Sequence, residues 1–541
     1  MGKGFLLFSL IQFAGLTLVD GNQVAKRKSQ SSVFAGLKSL LRKNVIAFSA
    51  FLIPFGVRSI PEILSWPYLI GFDTVGYVSR IQEGYVFSLS PVGFLKGANL
   101  FYLLSSLTYG LIQNAVIVMK VLGPLMLAVL CFLMYLYARK GLGWSGWQSL
   151  LVAVLVSTYF VSLRNSSDLY RQTLGLIFLM AALVWLKSFS SPRKYYVASV
   201  FMVLTVLSHE IAAVILFFVV ALEAGSFLVK KLEKEFLFLA LTAVLPLVLF
   251  LFQRYSPQTG GLTLPGVSIA SGPSLDLALY MGGLLVYCYA FILPLVFLGF
   301  LSLKNWVLRG WALLCLVVVF LDMLNPNLFY IWYRWVIVLV YPLLFFATQG
   351  LASIWRFSSR YKGKVERLIP KVFALAYLLS LLTLSGYYLT TSPASPYSYF
   401  SQNNPYLTSI PSSMLQNTIS IQDNPSFVNC VEWLNQNTPK NSVVVENHGL
   451  YDLISIYIRD RVVVHVIPPD SSTWSNNQNE TALAHQVGLA AEKVLAQGHS
   501  SVYTVWWISG KGWYGIPSLP SDFREIYRNG NMAVYSYKSQ V

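Results

Sequence analysis

Several ionisable residues lie in polar gaps between long apolar segments of the sequence. Asp73 stands in the segment Gly71–Tyr77 among aromatic residues, and its carboxylate could act as a general base or help to hold a divalent metal ion. Asp168 stands in a second gap, between Arg164 and Arg171. The alternative interpretation of both aspartates is structural, because a carboxylate at such a position can cap a helix N-terminus.

The adjacent residues His209 and Glu210 interrupt an apolar stretch, 195–229, that has basic residues on both flanks. One helix of that length would be ~52 Å long, beyond a hydrocarbon core of ~30 Å, so the sequence predicts a hairpin that turns at this pair. The alternative is a single tilted helix with a kink. Ionisable residues at membrane depth usually serve function. Together with Asp73 and Asp168, His209 and Glu210 could form a site for Mg²⁺ or Mn²⁺ or supply a second acid-base group. The structural alternative is that the pair forms a hydrogen-bonded plug.

Arginine and aromatic residues supply candidates for substrate binding. Arg334 lies near the outer end of a late apolar segment, and its guanidinium suits a phosphate or diphosphate, while the adjacent Trp335 suits a polyprenyl chain or a sugar ring. Arg164 and Arg171 could also hold a phosphate. Tyr77 is a further substrate-binding candidate. Anchoring at the membrane interface is the alternative role for these arginines and aromatics.

Composition places these residues in a membrane protein. The chain has 541 residues, of which 55% are hydrophobic and 11% charged, whereas soluble domains carry about 25% charged residues. The net charge of +17 is concentrated in short loops between apolar segments. There it orients the chain and meets anionic headgroups. Because no basic face with interleaved aromatics is present, nucleic acid is not an expected partner.

Basic residues cluster in every second gap, which predicts that these gaps are cytoplasmic and that the acid-bearing gaps lie on the opposite face. The chain is therefore predicted to be a polytopic α-helical membrane protein with about eleven spans. The spans lie within 44–392, and a large first external loop, 58–108, is expected to form short interfacial helices. The N-terminal basic region would be cytoplasmic and the C-terminus extracytoplasmic.

The two ends of the chain differ from this central region. Residues 1–43 combine an apolar segment, 5–19, with a basic region, and the apolar segment could be a span, a signal or an interfacial helix. Residues 393–428 are rich in Ser, Pro and Asn and are interpreted as a linker. Residues 429–541 alternate helix and strand patterns, which predicts a small extracytoplasmic α/β domain.

Some further motifs have both structural and functional interpretations. Trp506-Trp507 and Trp513-Tyr514 could stack on a sugar ring, although core packing is the more common role of such residues. Asn165 and Asn479 begin glycosylation sequons on the predicted outer side. The four cysteines are scattered, without a zinc-ligand spacing or an intradomain pair in the C-terminal domain.

Taken together, these features resemble the GT-C type of glycosyltransferase, a class of multi-span enzymes that use polyprenyl-phosphate-linked sugars. The resemblance covers most of the chain: an acid in a large first external loop, polar outer gaps, a late arginine and a C-terminal extracytoplasmic domain. It implies that Asp73 is the catalytic residue of the first loop and that Asp168 matches the acid between spans three and four. It also implies that Arg334 meets the lipid phosphate.

Short motifs separate the chain from particular members of this class. Residues 432–449 resemble the start of the C-terminal domain in archaeal oligosaccharyltransferases, where a WWDYG motif follows a strand, but here Glu446–Gly449 follows it. Protein mannosyltransferases carry an Asp-Glu pair in the first loop, whereas Thr74 follows Asp73 here. The resemblance is therefore to the class as a whole.

The resemblance implies an enzyme that transfers a hexose or pentose from a polyprenyl- or dolichyl-phosphate donor to a glycan, lipid or protein acceptor at the extracytoplasmic face. The sequence contains no nucleotide-binding loop, and a lipid-phosphate leaving group requires none. One alternative is a lipid-linked glycan polymerase or ligase, which the modest size of the gap 254–276 disfavours. The other is a transporter or flippase, which would place polar residues on both faces.

Overall fold

The computed structural model describes the chain between residues 30 and 538 with several gaps. The described residues are 30–188, 191–256, 261–262, 275–324, 332–361, 363–391, 419, 421–466, 480–508 and 519–538. The chain divides into two compact units, Met1–Phe48 and Ser49–Val541. Only part of a helix is described in the first unit. The bundle, the first loop and the C-terminal sheet all belong to the second.

Helices account for most of the described residues before 392. The α-helices, in chain order, are α1 Gln30–Leu64, α2 Phe72–Gln82, α3 Tyr85–Ser88, α4 Pro91–Lys96, α5 Leu100–Ile112, α6 Ala115–Leu136, α7 Gly146–Thr158, α8 Phe160–Asp168, α9 Tyr170–Ser188, α10 Arg193–Ser208, α11 Glu210–Val229, α12 Glu233–Arg254, α13 Leu275–Tyr289, α14 Leu293–Ser302, α15 Trp306–Leu324, α16 Trp332–Val338, α17 Val340–Phe357 and α18 Lys364–Thr391. A two-stranded hairpin, β1 (Tyr255–Ser256) and β2 (Gly261–Leu262), follows α12.

Six helical segments within the described residues are long and apolar enough to cross a membrane. These segments are Asn44–Leu64, Ala115–Gly141, Glu210–Val229, Glu233–Arg254, Trp332–Phe357 and Val365–Leu384. Two further pairs of helices are bent at a short break: α7 and α8 by 63°, and Met281–Tyr289 and α14 by 80°. If each pair makes one span, the number among the described residues rises to eight. The chain is thus a helical protein with several apolar spans, and the count of eleven stays a prediction.

The predicted hairpin at 195–229 is confirmed by ring contacts with α12. Tyr195, early in α10, stacks on Phe238, early in α12, with ring centroids 5.5 Å apart. Phe217, early in α11, instead meets Phe250, late in α12, at 5.4 Å. Helix α12 therefore runs parallel to α10 and antiparallel to α11, so the chain reverses at His209, which has an extended backbone with φ of −163°.

Glycine permits the close packing of α14 against α17. A Cβ atom at Gly299 would lie 1.7 Å from the carbonyl oxygen of Phe346, and one at Gly350 would lie 2.1 Å from that of Leu295. The two backbones are therefore in direct contact at positions where any side chain would push the helices apart.

The first loop and the C-terminal region form the remaining described structure. Helix α1 continues to Leu64, beyond the predicted start of the loop at residue 58, and α2 to α5 follow as short helices that end at Ile112. Their position at a membrane interface stays a prediction. The C-terminal region contains α19 (Asn424–Asn437), α20 (His448–Tyr457) and α21 (Glu480–Ala496). Its strands are β3 Val443–Asn447, β4 Val462–Val466, β5 Val502–Trp507, β6 Phe523–Asn529 and β7 Met532–Tyr537.

The C-terminal sheet has the order β4-β3-β5-β7-β6, with β4, β3 and β5 parallel and β7 antiparallel to both of its neighbours. These elements form the α/β region that the alternating patterns of residues 429–541 predict, although α19 begins at Asn424, within the segment interpreted as a linker. The helix α20 packs against α2, where a Cβ at Gly76 would lie 2.9 Å from Asp452 Oδ2. The α/β region is therefore built against the first loop.

Candidate active site

Asp73 lies in the first turn of α2, and a residue from a distant part of the chain holds that turn. The backbone N–H of Phe72 donates to Asp168 Oδ2 at 3.0 Å, so Asp168 caps α2 although 96 residues separate the two. The preceding Gly71 has φ of +91°, and a Cβ there would lie 2.5 Å from the Cβ of Asp168. Glycine is therefore required at this position both for its backbone conformation and for space.

Asp168 is itself fixed by Arg164 on the same helix. The Arg164 guanidinium donates to both carboxylate oxygens of Asp168, and its longer contact, from Nη2 to Oδ2, is 3.2 Å. Both side chains are only 1% exposed. The segment that contains them is helical as far as Asp168, so it is not the open loop that the sequence suggests. The structure therefore places Arg164 on a buried carboxylate and not at an open position for a phosphate.

Asp73 and Arg334 form a much looser and more accessible pair. Asp73 Oδ2 lies 3.8 Å from Arg334 Nη2, and the side chains are 35% and 25% exposed, respectively. That separation is longer than a hydrogen bond. Arg334 Nε is buried without a hydrogen-bond partner among the described residues. The pair therefore leaves donors and a carboxylate available to a third group.

The surroundings of Asp73 favour its protonated form. Although a third of the side chain is accessible, the protein excludes most bulk water, and this desolvation raises the pKa of Asp73 from 3.8 to about 6. The Asp168 carboxylate adds to the rise in pKa, while Arg334, Arg164 and Arg171 oppose it. A carboxylate with a pKa close to neutrality can accept a proton from a reacting group and release it again.

Arg171 and Tyr77 lie beside this pair. Arg171 donates through Nε to the carbonyl oxygen of Ala98 at 3.1 Å, and its guanidinium lies 5.9 Å from the centre of the Tyr102 ring. Tyr77 is buried, with its ring 4.9 Å from that of Phe101. Burial and the neighbouring Asp73 carboxylate raise the pKa of Tyr77 well above its ordinary value, so its hydroxyl stays protonated.

The hairpin turn brings His209 and Glu210 to the same end of the bundle. His209 is buried, and its Nδ1 atom has no hydrogen-bond partner among the described residues. Both residues lie within electrostatic range of Arg171 and Arg254, and His209 is also within range of Arg334. The site thus combines residues from the first loop, the start of α9, the hairpin turn and α16.

The candidate acids do not assemble into a metal site. Within the described ranges, no group of three or more His, Cys, Asp or Glu side chains is close enough to hold a metal ion. Both carboxylate oxygens of Asp168 are occupied by Arg164 and by the N-terminus of α2. The donor set suggested by the sequence therefore does not fit Mg²⁺ or Mn²⁺ in this arrangement.

Several other candidates serve packing. Trp335 is 3% exposed, so its indole lies inside the protein and not on a surface that a lipid could reach. Trp506 and Trp507 are buried in an edge-to-face pair 6.0 Å apart. Asn165 is completely buried and donates to Tyr341 Oη at 2.8 Å, so its sequon is not accessible. Residues 5–19, Asn479 and Trp513-Tyr514 lie outside the described residues.

Sequence reasoning missed a second buried ionic cluster at this end of the molecule. Glu62 contacts both Arg58 and Lys120 and lies between the two cations. Lys120 carried a usable signal, because it is a charged residue within the apolar segment that forms α6.

No protein-family model matches the chain, and neither does any curated protein. Its structure is similar to that of the oligosaccharyltransferase of Archaeoglobus fulgidus, with a TM-score of 0.49 and 13% identity over 86% of this chain and 70% of that one. It is also similar to the arabinofuranosyltransferase AftD from Mycobacteria, with a TM-score of 0.47 and 13% identity over 91% of this chain and 40% of that one. Both similarities are distant at 13% identity, and the GT-C relationship stays a prediction from the sequence.

Proposed function

We propose that the protein is a membrane glycosyltransferase that moves a sugar from a polyprenyl- or dolichyl-phosphate donor to an acceptor hydroxyl of a glycan, lipid or protein at the extracytoplasmic face. The observation that carries this proposal is the Asp73–Arg334 pair. A carboxylate and a guanidinium stand 3.8 Å apart and stay partly exposed. The neighbouring pair of Arg164 and Asp168 is buried and hydrogen-bonded.

The chemistry follows from the two groups. The Asp73 carboxylate accepts the proton of the acceptor hydroxyl while that oxygen attacks the anomeric carbon of the donor sugar. The bond from the anomeric carbon to the phosphate oxygen breaks, and its electron pair stays on the phosphate. Arg334 donates hydrogen bonds to the phosphate as its charge grows, with Arg171 as a second cation. A single displacement of this kind inverts the anomeric centre.

The remaining candidates are assigned by their position. Asp168, which Arg164 holds in place, caps the N-terminal turn of α2 and so fixes the position of Asp73 in the site. Tyr77, with its protonated hydroxyl, and the His209-Glu210 turn lie within electrostatic range of Arg334, and we assign them to the binding of the sugar hydroxyl groups. This arrangement supports an acid-base reaction near neutral pH, and no step of it requires a metal ion.

The test is transfer from labelled polyprenyl-phosphate sugars by the purified chain in proteoliposomes. We expect transfer by the wild-type chain and loss of transfer in Asp73→Asn and Arg334→Met. The matched control is Asp460→Asn, which removes an exposed carboxylate from the C-terminal region. Uptake of a labelled sugar or lipid that survives both site variants, with no transfer by the wild type, would instead favour a transporter or flippase.

A further inference from the structure

A cluster of three charged residues, Arg58, Glu62 and Lys120, lies buried near the site. Glu62 Oε1 is 2.9 Å from Arg58 Nη1, and Glu62 Oε2 is 3.3 Å from Lys120 Nζ. The three side chains are at most 7% exposed. Removing charges from water is costly, and ionisable residues inside membrane segments are usually kept for function.

Lys120 joins α6 to the end of α1 by hydrogen bonds. Its ammonium group donates to the carbonyl oxygen of Glu62 at 3.0 Å, to Glu62 Oε2 at 3.3 Å and to Ser65 Oγ at 2.9 Å. These three contacts match the three protons of the ammonium group. The last turn of α1 is therefore held in place immediately before the chain continues to Gly71 and the start of α2.

Arg58 joins the same end of α1 to the end of α8, also by hydrogen bonds. Its Nε atom donates to the carbonyl oxygen of Ser166 at 3.3 Å, and its Nη2 atom donates to that of Ser167 at 3.3 Å. Carbonyl groups in the last turn of a helix lack intrahelical hydrogen-bond donors, and Arg58 donates to two of them. The next residue is Asp168, which caps α2.

We propose that Arg58, Glu62 and Lys120 are positioning residues for glycosyl transfer. They fix the two segments that meet at the N-terminus of α2, and so they hold Asp73 at its separation from Arg334. This inference rests on the proposed function for its catalytic consequence. Its structural part concerns α2 alone.

The shape of the Arg58 side chain matters more than its charge in this arrangement. One guanidinium contacts Glu62 and two successive carbonyl oxygens, which a lysine ammonium on a flexible stem cannot reach together. Arg58→Lys therefore keeps the charge balance of the cluster but loses the contacts to the segment that carries Asp168. Glu62→Gln removes the central charge and keeps an oxygen that Arg58 and Lys120 can approach.

The matched control lies at the opposite end of the helical bundle. Lys187, at the end of α9, pairs with Glu223, near the end of α11, whereas the site lies at the starts of these two helices. Glu223→Gln makes the same chemical change as Glu62→Gln in another partly buried ion pair. It should leave the site unchanged.

The experiment combines steady-state kinetics with hydrogen exchange of the full chain in nanodiscs. For Arg58→Lys and Glu62→Gln we expect kcat to fall roughly 10- to 100-fold, as for outer-shell groups that orient a reactive residue. The KM for the donor should change by less than about twofold. The pH below which kcat/KM falls should also change, because the environment of Asp73 changes. Partial unfolding would lower the rate without changing that pH. Amide exchange in residues 66–82 should rise in both variants and not in Glu223→Gln.

The outcomes separate this inference from the proposed function. Unchanged exchange in residues 66–82 in folded Arg58→Lys and Glu62→Gln overturns the positioning role, whatever the transfer assay shows. If Arg58→Lys does not fold, Glu62→Gln alone decides between these results. A wild-type chain that transfers no sugar, together with raised exchange in the variants, contradicts the proposed function and supports the positioning of α2.

Discussion

At the scale of single residues, the site differs from its surroundings in how its charges are satisfied. Arg164 and Asp168 are buried and joined by two hydrogen bonds. Asp73 and Arg334 are partly exposed and separated by 3.8 Å. A buried pair that lacks one partner is strongly destabilised, whereas a loose and accessible pair can exchange its partner for a ligand. The accessible pair is therefore the one that can meet a substrate.

The raised pKa of Asp73 predicts the pH dependence of the reaction. Because the active form is the carboxylate, kcat/KM should rise with pH, reach a plateau above about 6 and fall about tenfold per unit below it. The measurement is kcat/KM across pH 4.5 to 8. Asp73→Asn should lower kcat/KM by roughly 10²- to 10⁴-fold on the plateau, and by less below pH 6, where the wild-type carboxyl group is itself protonated. An acid limb that persists unchanged in the residual activity of Asp73→Asn would assign the titration to another group.

Substitution of Arg334 should affect both the rate and this pH profile. Arg334→Met removes a donor to the departing phosphate and should lower kcat by roughly 10²- to 10³-fold. Since the Arg334 charge lowers the pKa of Asp73, its loss should also move the acid limb to a pH above 6. Arg334→Lys keeps the charge and should leave the limb near its original position, with an intermediate rate. A limb at the same pH in Arg334→Met and the wild type would contradict the pairing.

The sequence identifies the accessible residues better than it assigns their partners. Asp73 and Arg334 are recognisable because their types and gap positions suit acid-base and phosphate chemistry. The ligation of Asp168 by Arg164 and by the N-terminus of α2 depends on tertiary contacts between distant segments. The burial of Trp335 likewise depends on how α16 packs, which its aromatic neighbours do not reveal.

At the scale of secondary-structure elements, the position of Asp73 depends on how α2 begins. The helix receives its cap from α8, and Gly71 permits the approach of the two segments. The hairpin of α10 and α11 was predictable because flanking charges and the length of the apolar stretch exclude a single straight helix. The 63° bend between α7 and α8 was not, because no proline or glycine marks it.

Gly71→Ala tests the start of α2. We expect a loss of stability well above the ~1–2 kcal/mol of a left-handed helical conformation, because Gly71 combines φ of 91° with an extended ψ of 145° and the added Cβ would also lie 2.5 Å from the Cβ of Asp168. The control is Gly84→Ala, at φ of +66° with nothing within 4 Å of the added Cβ, which introduces the conformational cost alone. Thermal unfolding in detergent and the transfer rate measure the difference. Equal effects of the two substitutions would show that the contact with Asp168 does not constrain α2.

At the scale of the whole molecule, the C-terminal region and the first loop form one structure. Helix α20 packs on α2, and Asp452 lies against Gly76 and within electrostatic range of Arg80. Burial raises the pKa of Asp452, while Arg80 and His465 oppose the rise. The α/β region therefore contacts the helix that carries the proposed catalytic base, on the turn that follows it.

A double-mutant cycle at Gly76 and Asp452 tests this packing. A Cβ at Gly76 would lie 2.9 Å from Asp452 Oδ2, so Gly76→Ala must displace this carboxylate in the wild type and should therefore stabilise the Asp452→Ala variant more than the wild type. We expect a coupling of about 0.5–3 kcal/mol, as for side chains in contact. Gly110→Ala, with nothing within 4 Å, is the control and should show no coupling to Asp452→Ala. Additive effects at Gly76 and Asp452 would contradict the docking of α20 on α2.

The global arrangement is the part that the sequence predicts least completely. Alternating charge and hydropathy indicate several spans and an α/β region, because both follow from local composition and periodicity. The order of strands in the sheet and the docking of α20 depend on contacts between distant segments. The convergence of Asp73 and Arg334 was predicted from topology alone, since gaps that alternate in charge must lie on alternate faces.

Crosslinking of the double variant Asp73→Cys, Arg334→Cys with a short bifunctional thiol reagent tests the central claim most directly. The four native cysteines are buried, so an introduced thiol should react selectively. We expect the two introduced cysteines to crosslink within one chain and to react with a membrane-impermeant reagent from the same side. Labelling of the two positions from opposite sides of the membrane would contradict a shared reaction centre.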